Sequence, residues 1–231
     1  MNAKFNKKQQ HSQNIYTFWF KTDEPVNNVP GQYTEVTLPH ANPDERGDKR
    51  WFTVYSSPTE DSLAITTKIN SESSSFKKAL LDLNIDTELN FAEPMGDFIL
   101  PIDKSLPLVF IAGGIGVTPF RSIIKWLSDK NESRDIQLLY ATNNQTEFIE
   151  QELLNIVDTK YIVSNPQTDW DGLVGKLSAS KILELTNIKP NTHIFLSGPE
   201  PMVEAITKDL IATGQPEHQV ITDYFPGYTS L

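Results

Sequence analysis

Residues 110–122 read FIAGGIGVTPFRS, and this stretch decides the fold class of the second half of the chain. An apolar run leads into Gly113, Gly114 and Gly116, and the apolar spacing that follows predicts a helix over residues 119–129. Thr118 is predicted to cap this helix, with Pro119 as its first residue. A strand, a glycine loop and a helix in this order let a phosphorylated ligand lie against the backbone at the helix N-terminus.

The glycine loop alone leaves two interpretations open. No Gly-Lys-Ser/Thr follows it, so a P-loop ATPase is not indicated, and its spacing also departs from G-x-G-x-x-G. A tight turn in any α/β domain would explain it equally well. A second glycine turn, LSGPEPM at 196–202, also follows an apolar strand and precedes a helix with Met202 on its core face. Both turns belong to the carboxyl edge of one sheet, which favours dinucleotide binding.

The two halves of the chain differ in pattern. From Leu108, strands alternate with helices predicted at 119–129, 147–156, 178–185 and 201–213, which is typical of a parallel sheet. Before Pro101, short extended runs such as IYTFWFK, GQYTEVTLP, RWFTVYSSP, LAITTKI, TELNFAEP and DFILP predict an antiparallel barrel or sandwich with one helix over 76–83. The predicted fold is an N-terminal antiparallel β-barrel followed by a parallel-sheet α/β domain, joined by the linker 101–107.

Composition limits the class of protein further. The 231 residues are 38% hydrophobic and 10% aromatic, enough for a packed core in each domain. Zero cysteines exclude a disulfide framework and a thiolate-held iron-sulfur cluster within these residues, and we identify no metal site. A net charge of −10 argues against nucleic acid as partner. The basic first residues predict a solvated strand edge. No membrane span or secretion signal is found, so we expect a cytoplasmic protein.

The strand RWFTVYSSP, residues 50–58, supplies the candidate site of the first half. Alternation places Arg50 and Phe52 on one face and Thr53 on the other, so a twist or bulge is needed to bring them to one ligand. A strand end with a surface arginine remains an alternative. Ser73, Ser74 and Ser75 precede the helix at 76–83, where they could bind an anion or simply cap the helix.

Seven segments occur in a characteristic order: PGQY (30–33), RWFTVYSSP (50–58), SSSF (73–76), MGDFILP (95–101), FIAGGIGVTPFRS (110–122), LSGPEPM (196–202) and DYFPGY (223–228). In this order they resemble the ferredoxin-NADP reductase family of flavin oxidoreductases. The resemblance covers nearly the whole chain. It implies a flavin in the barrel and the pyrophosphate of NAD(P)H in the glycine loop.

The resemblance assigns the flavin contacts. Arg50, Phe52 and Thr53 match the family's Arg-x-Tyr-Ser motif with Tyr and Ser replaced. Arg50 is implied to pair with the FAD pyrophosphate, Phe52 to pack on the isoalloxazine and Thr53 to hydrogen-bond near N5. The remaining implied flavin contacts are Thr67, Lys68, Ser73, Ser74 and Ser75, although the glycine that the family has in the serine turn is missing.

The nicotinamide contacts follow from the same resemblance. Ser197 stands where the family often has a cysteine beside the nicotinamide, and Phe225 stands where members place an aromatic against the flavin. Packing of the last strand would also explain Phe225. We predict Thr53, Thr118, Ser197 and Phe225 as the catalytic group. The nucleotide contacts are predicted to be Gly113, Gly114, Gly116, Thr118, Pro119, Gly198, Pro199 and Met202.

These observations predict an FAD-binding domain over 1–102 and an NAD(P)-binding domain over 103–231. NAD(P)H would reduce FAD, which would pass electrons to a separate acceptor: ferredoxin, flavodoxin, a haem protein, an oxygenase or a small molecule. A non-catalytic binding or regulatory subunit is the alternative, and the Ser197 replacement fits it. A flavin-free dehydrogenase would leave the barrel unexplained. Residues 141–146, ATNNQT, contain neither a cation for a 2′-phosphate nor an acid for a ribose diol, which slightly favours NADH.

Overall fold

The computed structural model describes residues 1–225. Of the DYFPGY motif, Pro226, Gly227 and Tyr228 therefore lie outside the described residues. The chain divides into two compact units, Met1–Ile99 and a second that begins at Leu100.

The first unit is a six-stranded antiparallel sheet in the order β4-β3-β6-β1-β2-β5. Beyond β4, the backbone N–H of Tyr55 donates to the Ala64 carbonyl at 2.8 Å, so the chain after one edge strand bonds to the other edge and the sheet curls into a barrel. The antiparallel barrel prediction is confirmed. The elements are β1 (Asn2–Gln10), β2 (Ile15–Thr22), β3 (Tyr33–Thr37), β4 (Lys49–Thr53), β5 (Leu63–Lys68), α1 (Ser75–Leu81) and β6 (Glu88–Phe91).

The barrel is filled by aromatic and branched side chains that alternate inward along the strands. Phe18, Phe20 and Phe91 are fully buried, and the Phe20 and Phe91 rings meet edge to face at 5.0 Å. Phe76 and Leu80 of α1 close one end of the same core. These residues hold β4 and the start of α1, which carry the candidate flavin contacts, on one packed body.

Two predictions for the first unit are wrong. The basic N-terminal segment is a central strand between β6 and β2, because Ala3 and Phe5 alternate into the core while the lysines face outward. The run DFILP, residues 97–101, forms no strand: only Phe98 of its first three residues is buried, and no ladder partner lies beside it.

The second unit is a six-stranded sheet in the order β10-β9-β8-β7-β11-β12, and every pairing in it is parallel. Helices connect the strands, as the alternating pattern predicts. The elements are β7 (Leu108–Gly113), α2 (Val117–Asp129), β8 (Ile136–Thr142), α3 (Gln151–Leu154), β9 (Asp158–Val163), β10 (Leu173–Val174), α4 (Ala179–Leu185), β11 (His193–Pro199), α5 (Glu200–Ala212) and β12 (Val220–Phe225).

The helix predicted over 147–156 shrinks to the four residues of α3. A 3₁₀ turn occupies Gln145–Glu147, and Glu150 then adopts a left-handed conformation with φ 57°, which interrupts a right-handed helix. Phe148 and Ile149 are buried between these turns. Packing of two large apolar side chains therefore overrides the helical spacing.

Within residues 1–225, no helix combines the length and the apolar character needed to cross a lipid bilayer.

Candidate functional site

The glycine loop after β7 lies against the end of β11. Gly114 has φ 53°, a conformation that glycine adopts without strain, and it opens a 3₁₀ turn that runs directly into α2. A Cβ on Gly116 would meet the Ser197 carbonyl oxygen at 2.2 Å and the Gly198 Cα at 2.7 Å. Only glycine therefore allows the N-terminus of α2 to approach the second glycine turn this closely.

The second turn is packed just as tightly. A Cβ on Gly198 would meet the Met202 methyl group at 2.6 Å and the Gly113 Cα at 3.2 Å. Ser197 pairs with Ala112 in the sheet register, so both turns leave the same edge one strand apart. The structure thus brings Gly113, Gly116 and Gly198 together, with backbone packed on backbone, and their contact with a pyrophosphate stays a prediction.

The predicted cap of α2 is wrong. The helix begins at Val117, two residues before Pro119, and the residue before it is Gly116. Thr118 therefore lies inside the first turn, where its hydroxyl donates to the Ile115 carbonyl at 3.1 Å. The 3₁₀ turn continues into the helix without a break, so no side-chain cap is needed there. Thr118 is 1% exposed, and its contact with nicotinamide or flavin stays a prediction.

A carboxyl group that the sequence did not single out lies beside Ser197. Asp223 pairs with Ser197 in the β11–β12 register, and the Ser197 hydroxyl donates to Asp223 Oδ2 at 3.4 Å. Burial raises the pKa of Asp223 to about 7, against the opposing effect of the Ser197 hydrogen bond. The DYFPGY motif contained this residue, but only the strand register shows that it faces the second glycine turn.

Phe225 is the last residue of β12 and pairs with Pro199. Its side chain is half-buried. The residue therefore stands one strand beyond the second glycine turn, at the same edge of the sheet. Its stacking on a flavin stays a prediction.

An acid lies next to the residues that follow β8. Gln145 Nε2 donates to Asp169 Oδ1 at 2.7 Å, and Gln145 Oε1 accepts from the Gln167 backbone N–H. Asn144 caps the adjacent turn by accepting from the Thr146 N–H. The segment ATNNQT contains no acid. The acid beside it is Asp169, which lies 24 residues after Gln145 in the sequence.

In the first unit, Arg50 is buried rather than on the surface. Its side chain is 5% exposed, so the surface-arginine alternative is wrong. Nη1 donates to the carbonyls of Arg46, Gly47 and Lys49, and Nη2 donates to Asp44 Oδ1 at 2.6 Å. Nε is buried without a hydrogen-bond partner. A donor on a buried cation is thus left for a ligand.

Thr53 carries a second buried polar atom without a partner. The residue is 4% exposed and its Oγ1 makes no hydrogen bond. An unpaired buried hydroxyl is costly, and a ligand that bonds to it removes that cost. Phe52, its neighbour, packs in the core with its ring 5.8 Å from that of Phe76. The unpaired Thr53 hydroxyl and Arg50 Nε fit a flavin nucleotide that supplies an acceptor to each.

The serine turn caps α1. Ser74 is the N-cap and accepts from the Lys77 N–H, while Ser73 accepts from the Asn70 N–H and donates to the Asn70 side chain. Ser75 interacts instead with a preceding loop, described below. Thr67 and Lys68 end β5, with Thr67 buried and Lys68 half-buried. The roles of these five residues toward a flavin stay predictions.

Comparison with known proteins agrees with this geometry. Residues 110–208 match the family model described as the oxidoreductase NAD-binding domain. The chain is 25% identical to flavohemoprotein A of Dictyostelium discoideum over 98% of its length, and 28% identical to the glycine betaine monooxygenase reductase subunit of Chromohalobacter salexigens over 89%. It covers 60% and 58% of those two proteins, so it spans less than two thirds of the length of these relatives.

Among solved structures, the fold matches a ferredoxin NADP+ reductase from Neisseria gonorrhoeae, solved with bound FAD and NADP. The TM-score is 0.81 at 18% identity, over 97% of this chain and 98% of that one. Residues 110–208 thus match an oxidoreductase NAD-binding domain, and the two-unit fold is that of the solved reductase. The chain is therefore similar in fold to a ferredoxin NADP+ reductase and similar in sequence to flavohemoproteins and reductase subunits, in line with the resemblance that its motifs carry.

Proposed function

We propose that this chain is an NAD(P)H-dependent flavin oxidoreductase that holds FAD in the domain 1–102 and receives NAD(P)H in the domain 103–231. The observation that carries the proposal is the packed pair of glycine turns, in which a Cβ on Gly116 would collide with the Ser197 carbonyl at 2.2 Å. The N-terminus of α2 beside these turns would supply backbone N–H groups and a partial positive charge to a pyrophosphate.

The residues of the first unit fit FAD. The Arg50 guanidinium would bind the pyrophosphate, and the unpartnered Thr53 hydroxyl would hydrogen-bond to the flavin ring. FAD, when bound, accepts a hydride and releases electrons singly or in pairs. The side chains of the barrel orient the flavin and keep water away from it.

The second unit would orient the nicotinamide. Gly113, Gly116 and Gly198 would hold the pyrophosphate, and Ser197 would border the nicotinamide ring. Asp223 fixes the Ser197 hydroxyl through their hydrogen bond. Since the pKa of Asp223 is raised to about 7, this carboxyl holds or releases a proton near neutral pH.

The electron acceptor lies outside the residues that form these two units. Relatives of the chain are named flavohemoprotein and monooxygenase reductase subunit, which supports a haem protein or an oxygenase component as acceptor. We propose NADH as the preferred donor, since Asp169 next to Gln145 would repel a 2′-phosphate. We propose the cytoplasm as its location.

Absorbance spectroscopy of the purified protein tests the proposal. We expect the bands of oxidised flavin, release of FAD on denaturation, and bleaching of the bands by NADH under anaerobic conditions. A protein that stays colourless after incubation with FAD and with FMN would refute flavin binding. A flavin that NADH and NADPH both fail to reduce would favour the non-catalytic binding subunit instead. A tenfold advantage of NADPH in kcat/KM, about 1.4 kcal/mol, would reverse the donor preference.

Replacement of Phe225 tests the proposed catalytic group. If the ring covers the flavin, Phe225→Ala changes the rate of flavin reduction by NADH and the KM for NADH, while flavin content stays close to wild type. Stopped-flow reduction at the wild-type rate would show that Phe225 only packs the last strand.

A further inference from the structure

The loop before β4 occupies the residues that the flavin is expected to use. We call residues 40–47, His40 to Gly47, the 40–47 loop. Asp44 of this loop accepts from Arg50 Nη2 at 2.6 Å and from the Arg46 backbone N–H at 3.0 Å. The backbone N–H of Asp44 donates to Ser75 Oγ at 3.0 Å. One loop residue therefore contacts both Arg50 and Ser75.

Ser75 has no hydrogen-bond donor left for a phosphate while the loop is in place. His40 Nδ1 lies 2.8 Å from the Leu38 carbonyl, which only accepts, so Nδ1 carries a proton and, in the neutral ring, Nε2 is an acceptor. The Ser75 hydroxyl, 2.9 Å from His40 Nε2, then donates to it. With the Asp44 N–H as donor to the same oxygen, the hydroxyl both gives and receives a hydrogen bond.

The Arg50 guanidinium is also hydrogen-bonded to the 40–47 loop. Its Nη1 donates to three backbone carbonyls, those of Arg46, Gly47 and Lys49, so the 40–47 loop is bonded to Arg50 through Nη1 as well as through Asp44. The other side of the guanidinium consists of Nε, which has no partner, and Nη2, which Asp44 holds. A phosphate that binds the Nε and Nη2 pair therefore competes with the Asp44 carboxylate for Nη2.

The charge on Asp44 matches that role. Partial burial raises its pKa, but the hydrogen bonds from Arg50 and the Arg46 backbone and the charges of both arginines outweigh this, so the pKa lies below its usual value. The group is an anion at neutral pH. Its side chain is 31% exposed, whereas that of Arg50 is 5% exposed, so the acid sits at the mouth of the site and the arginine inside it.

We propose that Asp44 is an intramolecular competitor of the flavin pyrophosphate. Its carboxylate and backbone hold Arg50 and Ser75 in the FAD-free protein, and FAD binds by displacing Asp44, which opens the 40–47 loop. The loop thereby lowers the affinity for FAD and makes the flavin exchangeable. This inference rests on the proposed function, since it takes FAD as the ligand of Arg50.

Titration of the apoprotein with FAD, followed by quenching of flavin fluorescence, tests the competition. Asp44→Asn keeps the size of the side chain and removes its charge. We expect its Kd for FAD to be lower than that of wild type by about tenfold, the size of one charge-assisted hydrogen bond. Glu45→Gln is the matched control, because Glu45 is an exposed acid on the same loop and its Kd should equal that of wild type.

The outcomes separate the inference from the proposed function. An Asp44→Asn protein that binds FAD as wild type does, or more weakly, overturns the inference, and the weaker binding would show that Asp44 instead positions Arg50 for the flavin. Equal tightening by Glu45→Gln also overturns it, since net charge alone would then be the cause. If neither wild type nor Asp44→Asn binds FAD, the proposed function fails and the inference fails with it.

Limited trypsin digestion tests the opening of the loop without measuring activity. Arg46 is exposed, and its carbonyl accepts from Arg50 Nη1 in the closed loop. We expect FAD to increase cleavage after Arg46 in the wild-type protein, although ligands usually protect a chain. Asp44→Asn should be cleaved faster than wild type without FAD. Protection of this bond by FAD in the wild type would overturn the inference.

Discussion

The two candidate nucleotide sites are built in opposite ways. In the second unit, Gly116 and Gly198 make the site by lacking side chains, and backbone packs on backbone. In the first unit, the site consists of side chains, and Arg50 is already paired with Asp44. The glycine turns are therefore fixed by backbone packing, whereas in our proposal the arginine site exchanges one partner for another.

Gly116→Ala should disrupt the packing of the glycine turns and have the largest effect. Its Cβ meets the backbone of Ser197 and Gly198, which cannot swing away as a flexible side chain would. We expect a loss of about 1–3 kcal/mol of stability from overpacking. The Kd for NADH should rise at least about tenfold, because the two turns separate. Thermal unfolding and NADH titration measure both.

Gly214→Ala is the control for Gly116→Ala. Gly214 has φ 98°, but a Cβ added to it would have nothing within 4 Å, so this variant carries the strain of the conformation without the collision. NADH affinity should be unaffected in this variant. Equal NADH affinities for Gly116→Ala and wild type would contradict the tight contact between the turns.

Arg50→Ala should have the next largest effect, on the other site. Loss of a charge-assisted contact to a diphosphate weakens FAD binding by about 1.5–3 kcal/mol, roughly 10- to 150-fold. The increase in FAD affinity caused by Asp44→Asn should also disappear in the double variant, because residue 44 then has no arginine to bind. A double-mutant cycle on the Kd for FAD shows this coupling, and additive effects would contradict it.

Asp223→Asn should remove a pH-dependent penalty on stability in the second unit. Burial raises the pKa of Asp223 from 3.8 to about 7, so the native carboxyl holds its proton at pH values where the unfolded one has lost it. The protonated Asp223 carboxyl therefore makes its full contribution to stability below the unfolded pKa. This contribution is lost as the pH rises to about 7. The variant should therefore melt above wild type at pH 8, with a difference that narrows as the pH falls toward 4.

Asp209→Asn is the matched control for this titration, since Asp209 is exposed on α5. Its melting temperature should follow that of wild type across the pH range. A constant difference between Asp223→Asn and wild type from pH 4 to pH 8 would contradict a raised pKa.

Thr53→Val should give the smallest effect, with opposite signs in the free and bound proteins. Removal of an unpaired buried hydroxyl raises the stability of the FAD-free protein by about 1 kcal/mol. In the FAD complex, loss of the hydrogen bond between this hydroxyl and the flavin weakens FAD binding by about as much. Thr66→Val is the control, because the Thr66 hydroxyl bonds to that of Thr17 at 2.7 Å and its loss should only destabilise. Tighter FAD binding by Thr53→Val would contradict the assignment.

The sequence predicted the parts of the molecule that depend on neighbouring residues. The barrel strands, the helix after the glycine loop and the two glycine turns follow from alternation, apolar spacing and glycine. The pairs Asp44 with Arg50 and Asp223 with Ser197 could not be predicted. The second joins residues 26 positions apart and exists only because β11 and β12 pair in one register.

The contact of Gly116 with the Ser197 carbonyl also sets an order of assembly. Gly116 precedes α2 and Ser197 belongs to β11, and the strands β8, β9 and β10 lie between them in the chain. Contacts between distant positions form only after a long loop has closed. When synthesis has reached only β8, the glycine loop therefore lacks the Ser197 and Gly198 backbone on which it packs in the folded unit. Nucleotide can aid folding of this unit only once β11 has been synthesised.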